Sequence, residues 1–167
     1  MIHRLLAVAV FVTHATLALA GDGQHVHGPG CKGHHHEAPH GGTLVAFGDE
    51  FAHLELVLDS ELGEMTLYFL DGSADRGVWI AQHAVALSFE VEGREPFHLA
   101  VTSVPNVLTG ESLGNSSVFS GTSAELKGLT KADITLSHVM IRGVRFDKVK
   151  FPFPEGNEGH GHDHAGD

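Results

Sequence analysis

Ala52-His53-Leu54-Glu55-Leu56-Val57-Leu58-Asp59 is the stretch that decides the fold. Ala52, Leu54, Leu56 and Leu58 alternate with His53, Glu55, Val57 and Asp59, the period-two pattern of a half-buried β-strand whose even positions face a core. The turn-forming run Ser60 to Gly63 follows, and then Met65, Leu67 and Phe69 resume the alternation. An even-numbered loop keeps both apolar sets on one face, because hairpin register determines which faces coincide. Tyr68 then shares the outer face with His53 and Glu55.

The same pattern spreads along the middle of the chain. Val85, Leu87, Phe89 and Val91 alternate with Ala86, Ser88, Glu90 and Glu92, and Phe97, Leu99 and Val101 follow a turn at Gly93 to Glu95. A three-residue loop there sets Phe89 opposite Leu99 and His98 beside Glu90. Ile134 to Ile141 and Val144 to Phe151 are joined by Arg142-Gly143, and a two-residue loop puts His138 opposite Asp147. Ser73 to His83 has room for a helical turn, while Thr109 to Ala132 is too rich in Gly and Ser to assign. Short strands at this spacing predict an all-β domain over residues 41–154, an antiparallel β-sandwich.

The flanks read differently. Residues 1–20 have the form of a secretory signal peptide: Arg4 near the start, an apolar run from Leu5 to Leu19, and small residues at Ala18 and Ala20 before Gly21-Asp22-Gly23. Cleavage after Ala20 implies a periplasmic or secreted protein. The alternative, a retained anchor, needs about 20 apolar residues, more than this run supplies. No later apolar run approaches that length, so no membrane insertion is expected after cleavage. Residues 21–40 and 155–167 are Gly- and His-rich with almost nothing to bury, and are expected to be disordered tails in the absence of a ligand.

Ten Lys and Arg against 21 Asp and Glu leave a net charge of −11. Nucleic acid is excluded as a partner on that balance, because phosphate binding requires clustered Lys and Arg. Cations suit such a surface. Cys31 is the sole cysteine, so no intramolecular disulfide forms and stability must come from the core. As a thiol it is open to three uses: metal ligand, intermolecular bridge or none.

Histidine carries the chemistry. His25, His27, His34, His35, His36 and His40 lie in the first tail, and His160, His162 and His164 in the second. Neutral imidazole suits Zn²⁺, Cu²⁺, Ni²⁺ and Co²⁺, and a Gly-rich chain wraps an ion without steric strain. Cys31, Glu37 and Asp163 add further donors. Trimming to Gly23 would place His25 third from a free amine, in the pattern of a square-planar Cu²⁺ or Ni²⁺ site. The bland alternative for these tails is a solvated, pH-responsive linker. Within the domain, His40 stands at the entrance to the first strand, and His53 and Glu55 project from one face about 7 Å apart. That spacing serves two ligands of one ion or two adjoining sites, and it equally fits two ordinary solvent-face residues. A nucleophile elbow, an HExxH helix and a phosphate loop are all missing, so enzymatic activity is not expected.

The run PHGGTLVAFGDEFAHLELVLDSELGEMTLYFLDGS, residues 39–73, resembles a segment near the amino terminus of periplasmic adaptor subunits of heavy-metal efflux pumps and of small stand-alone exported relatives. The shared elements are His40-Gly41-Gly42, the Glu55-Leu56 pair and Tyr68 to Gly72; Ser117-Val118-Phe119 and Val139 to Phe151 look similar as well. The resemblance implies an extracytoplasmic β-sandwich involved in handling zinc, cobalt, nickel, cadmium or copper, with His40 and Glu55 as ligands and a heavy-metal efflux complex as partner. The chain lacks the length and heptads of the adaptors' helical hairpin. Two functions follow: a transition-metal buffer or chaperone, with metal ligands at His25, His27, Cys31, His34, His35, His36, His40, His53, Glu55, His160, His162 and His164, or a secreted sandwich that binds another protein and carries incidental tails.

Overall fold

Ala52–Asp59 forms a strand, here β2, and a four-residue turn returns the chain as β3 (Glu64–Asp71), with Leu54 opposite Phe69, Leu56 opposite Leu67 and Leu58 opposite Met65. The expected register holds because the turn is even-numbered and tightly closed. The Asp59 side chain accepts hydrogen bonds from the Glu61 and Leu62 N–H groups, and Gly63 N–H donates to the Asp59 carbonyl. In this computed structural model residues 36–157 are described. The expectations for the signal peptide, for His25, His27, Cys31, His34 and His35, and for His160, His162 and His164 lie outside the described residues.

The remaining strands are β1 (Thr43–Phe47), β4 (Ala84–Glu90), β5 (Phe97–Ser103), β6 (Val118–Thr122), β7 (Ala132–Ile141) and β8 (Val144–Phe153). The fold is all-β and antiparallel, as the alternation predicts. The two layers of the expected sandwich are parts of one nearly closed sheet in the order β1-β2-β3-β6-β5-β4-β7-β8, and edge strands β1 and β8 approach each other. The inward positions meet in one core that includes Leu54, Leu56, Phe69, Phe89, Phe119 and Ile134. Phe69 and Phe119 pack edge to face with centroids 5.5 Å apart, a favoured aromatic geometry.

Three local expectations change. Leu87 pairs with Leu99 and Ser88 with His98, so His98 lies beside Ser88 and is hydrogen-bonded to its hydroxyl at 2.9 Å, away from Glu90. The β4–β5 loop is longer than three residues because Pro96 has no N–H to give the ladder. Phe89 stacks on Phe97 at 4.6 Å immediately beyond it. Ser73 to His83 contains no helical turn. After a tight turn in which Ala74 has φ of +58° and donates its N–H to the Asp71 carbonyl, the chain runs extended from Gly77 to Ile80, bridging Leu70 to Gly77 and Ile80 to Ser116, since Val78 and Ile80 are buried on alternate positions around exposed Trp79. The unassigned 109–132 region supplies β6 and a short 3₁₀ turn, Ala124–Leu126, that inserts Leu126 into the core. His138 does face Asp147 across β7 and β8.

Candidate metal-binding site

The face of β2 that alternation assigns to solvent is covered. His53 and Glu55 are both fully buried, which corrects their reading as solvent-face residues. The cover is the chain from His36 to Gly42. Ala38 and Tyr68 pack with Leu44, Leu70 and Ala74 into a small second apolar cluster on the outside of β1, β2 and β3.

Two glycines make this cover possible. Gly41 adopts φ of +73° and donates its N–H to the Ala38 carbonyl at 3.0 Å, a left-handed conformation that glycine enters without steric cost. Gly42 lies so close to β2 that a Cβ would stand 2.5 Å from the Leu56 carbonyl oxygen. His40 is thereby carried directly over Glu55.

The Glu55 carboxylate takes three hydrogen bonds from this loop. Its Oε1 accepts from the backbone N–H of His40 at 2.8 Å and of Gly42 at 2.9 Å. Its Oε2 accepts from the His40 ring at Nδ1, 2.7 Å away. A carboxylate so engaged is an acceptor only, which places a proton on Nδ1 and, in the neutral ring, leaves the Nε2 lone pair unused. The ring is stacked on Tyr68 at 3.7 Å between centroids and 7° between planes, and its side chain is 41% exposed. No hydrogen bond from the described residues engages Nε2. A histidine held by a carboxylate behind it and open in front is the usual arrangement of a metal-binding imidazole.

His53 lies two positions away on the same face and is held differently. Its Nδ1–H donates to the Asp71 carbonyl at 3.0 Å. His36 meets it edge to face at 4.8 Å, with His36 Nε2 3.8 Å from Glu50, beyond hydrogen-bond reach. The structure thus brings His36, His40, His53 and Glu55 to one face of β2. Among the described residues, no group of three or more His, Cys, Asp or Glu side chains converges with metal-holding geometry.

Sequence reading passed over Glu111, buried among hydroxyls. Burial by itself raises its carboxyl. Hydrogen bonds from the Ser117 and Thr109 hydroxyls, the Ser117 N–H and the Ser116 hydroxyl outweigh that and hold it below the ordinary value. A glutamate within a Thr-, Ser- and Asn-rich run was the available signal. Compared with protein-family models, curated proteins and solved structures, the chain matches none of them.

Proposed function

We propose that this chain is an extracytoplasmic transition-metal-binding protein, a buffer or chaperone for Zn²⁺, Cu²⁺, Ni²⁺ or Co²⁺ associated with heavy-metal homeostasis or efflux. The observation that supports this reading most directly is His40. Its Nδ1 is committed to buried Glu55, and Nε2 is left on a half-exposed ring at the point where a His-rich segment joins the domain. In this reading Glu55 orients and strengthens the imidazole from behind, and donors from the tails complete the ion's coordination. Adaptable sites of this kind exchange their ion quickly, which suits storage and delivery.

Calorimetric titration of the processed protein, alongside a form restricted to residues 36–157, tests the proposal. The full protein should bind first-row divalent ions at neutral pH, and the shortened form should retain at most weak binding through His40. Affinity should fall as the pH drops through about 6.5, where free imidazole gains its proton. No heat with any of the four ions would end this reading. A second reading, recognition of another protein, is favoured by the loop beside Trp79, where Val107 and Leu108 are 91% and 93% exposed. A partner retained by the tailless form and lost on V107S/L108S substitution would support it.

A further inference from the structure

Exposed apolar side chains are not scattered over the domain. Among the described residues Trp79, Val104, Val107, Leu108 and Leu113 are five of the nine large hydrophobic residues with exposed surface, and they belong to one loop and the segment pinned to it. Ile80 N–H donates to the Ser116 carbonyl at 2.9 Å, which ties the Trp79 segment to the loop between β5 and β6. A Cβ at Gly110 would stand 3.6 Å from the Trp79 ring, so the indole lies against the turn that carries Val107 and Leu108. That turn is closed by the Asn106–Glu111 bridge, and Leu113 sits in a second turn closed by the Ser112–Asn115 bridge.

Charge and backbone bonding define the surface that this loop fits. Residues 77–89 and 96–124, which contain the whole patch, hold a single Asp, Glu, Lys or Arg in a chain with ten basic and 21 acidic residues. That residue, Glu111, is buried and turned inward onto the Thr109, Ser116 and Ser117 hydroxyls. The Asn106 and Glu111 amides each donate to the other's carbonyl, at 3.1 and 2.9 Å, and those of Ser112 and Asn115 do the same at 3.0 Å. Leu108 N–H donates to Asn106 Oδ1 at 3.0 Å and Gly114 N–H to Ser103 Oγ at 2.7 Å. Water or a protein partner would supply hydrogen bonds to such groups. Hydrocarbon supplies none, so a backbone that approaches it must be satisfied from within.

We infer that this loop docks the protein peripherally on a lipid bilayer, with Val107 and Leu108 entering the acyl boundary and Trp79 at the level of the headgroups, where indole is favoured. The inference goes beyond metal binding and does not depend on it. No spanning run is needed, because only the side chains of a turn leave water. The patch has no Lys or Arg and the chain carries a net charge of −11, so the matching surface is zwitterionic and anionic headgroups repel the protein. This preference is the reverse of that shown by proteins held to membranes through basic residues.

Trp79, the sole tryptophan, reports on docking directly. The processed protein is titrated with phosphatidylcholine vesicles in the presence of a chelator, so that metal bridging to the His-rich segments plays no part. Trp79 emission should shift to the blue, phosphatidylcholine brominated near the top of its acyl chains should quench it, and the protein should float with the vesicles in a density gradient. V107S/L108S should lower the partition coefficient by about tenfold or more, with an unchanged circular dichroism spectrum because both side chains are exposed. L62S, at an exposed leucine in the β2–β3 turn, should leave partitioning unchanged. Adding phosphatidylglycerol should weaken binding, and high salt should not weaken binding to pure phosphatidylcholine. No blue shift and no flotation at millimolar lipid would overturn the inference, as would a V107S/L108S protein that binds as tightly as the original. Binding confined to anionic vesicles and abolished by salt would overturn it in favour of electrostatic adsorption. A protein partner lost on V107S/L108S substitution, in a chain that ignores vesicles, would overturn it as well and give the loop to protein recognition.

Discussion

Replacing Glu55 with Ala removes the acceptor for three hydrogen bonds, two from backbone N–H groups and one from the His40 ring, on a residue with no exposed surface. Hydrogen bonds to a charged group contribute about 1.5–3 kcal/mol each, and they do not add when they share one carboxylate. The cover from His36 to Gly42 lies at the protein surface, so water recovers part of the loss at the two freed amides. We expect E55A to cost about 3–5 kcal/mol of unfolding free energy. E55Q keeps one oxygen for the two backbone donors but turns an NH₂ or a reoriented amide toward His40, and should cost about 1–2 kcal/mol. Urea unfolding followed by circular dichroism gives both values. Amide hydrogen exchange locates the effect: protection at His40 and Gly42 should collapse in E55A while the amides of β5 and β7 exchange as the global stability dictates. An E55A protein within about 0.5 kcal/mol of the original, with those two amides still protected, would refute the claim that this carboxylate holds the cover in place.

The two glycines beside His40 should respond unequally. G42A drives a Cβ against the β2 backbone at Leu56 and should destabilise by about 2–3 kcal/mol. G41A meets no atom within 4 Å and costs only its left-handed backbone, about 1 kcal/mol; urea midpoints that reverse this order would contradict the packing. For Glu111, the folded carboxyl lies below the ordinary value of 4.5. Its contribution to stability is therefore present above pH 4.5 and lost as the pH falls through the lower folded value. The stability gap between the original protein and E111Q, measured by denaturant unfolding from pH 7 to pH 3, should be widest at neutral pH and narrow on acidification. A gap that widens in acid would show that the hydroxyl cluster does not favour the ionised form.

Much of the architecture is legible in local pattern. Alternation at Ala52 to Leu58 and Met65 to Phe69 identifies the strands and their inward faces, since a strand's side chains alternate whatever lies elsewhere in the chain. The even-numbered turn after Asp59 and the two-residue turn at Arg142-Gly143 then determine register. Pattern misjudged β4 and β5, where the register depends on where Pro96 lets the ladder begin and on the Phe89–Phe97 stack. It also left β6 unassigned, because Ser, Gly and Thr there gain their order from flanking strands.

Sequence by itself determined that the middle of the chain is β-structure with one inward apolar face, and that donor-rich segments flank it, because both are properties of neighbouring residues. Tertiary structure alone decided that His53 and Glu55 are covered, that Glu55 faces the His40 ring, and that Asn157 docks on Ala46. Those outcomes depend on a loop laid over a sheet and on Asn157 meeting an edge strand 111 positions away. No local periodicity encodes which distant segment will occupy the second face of a strand.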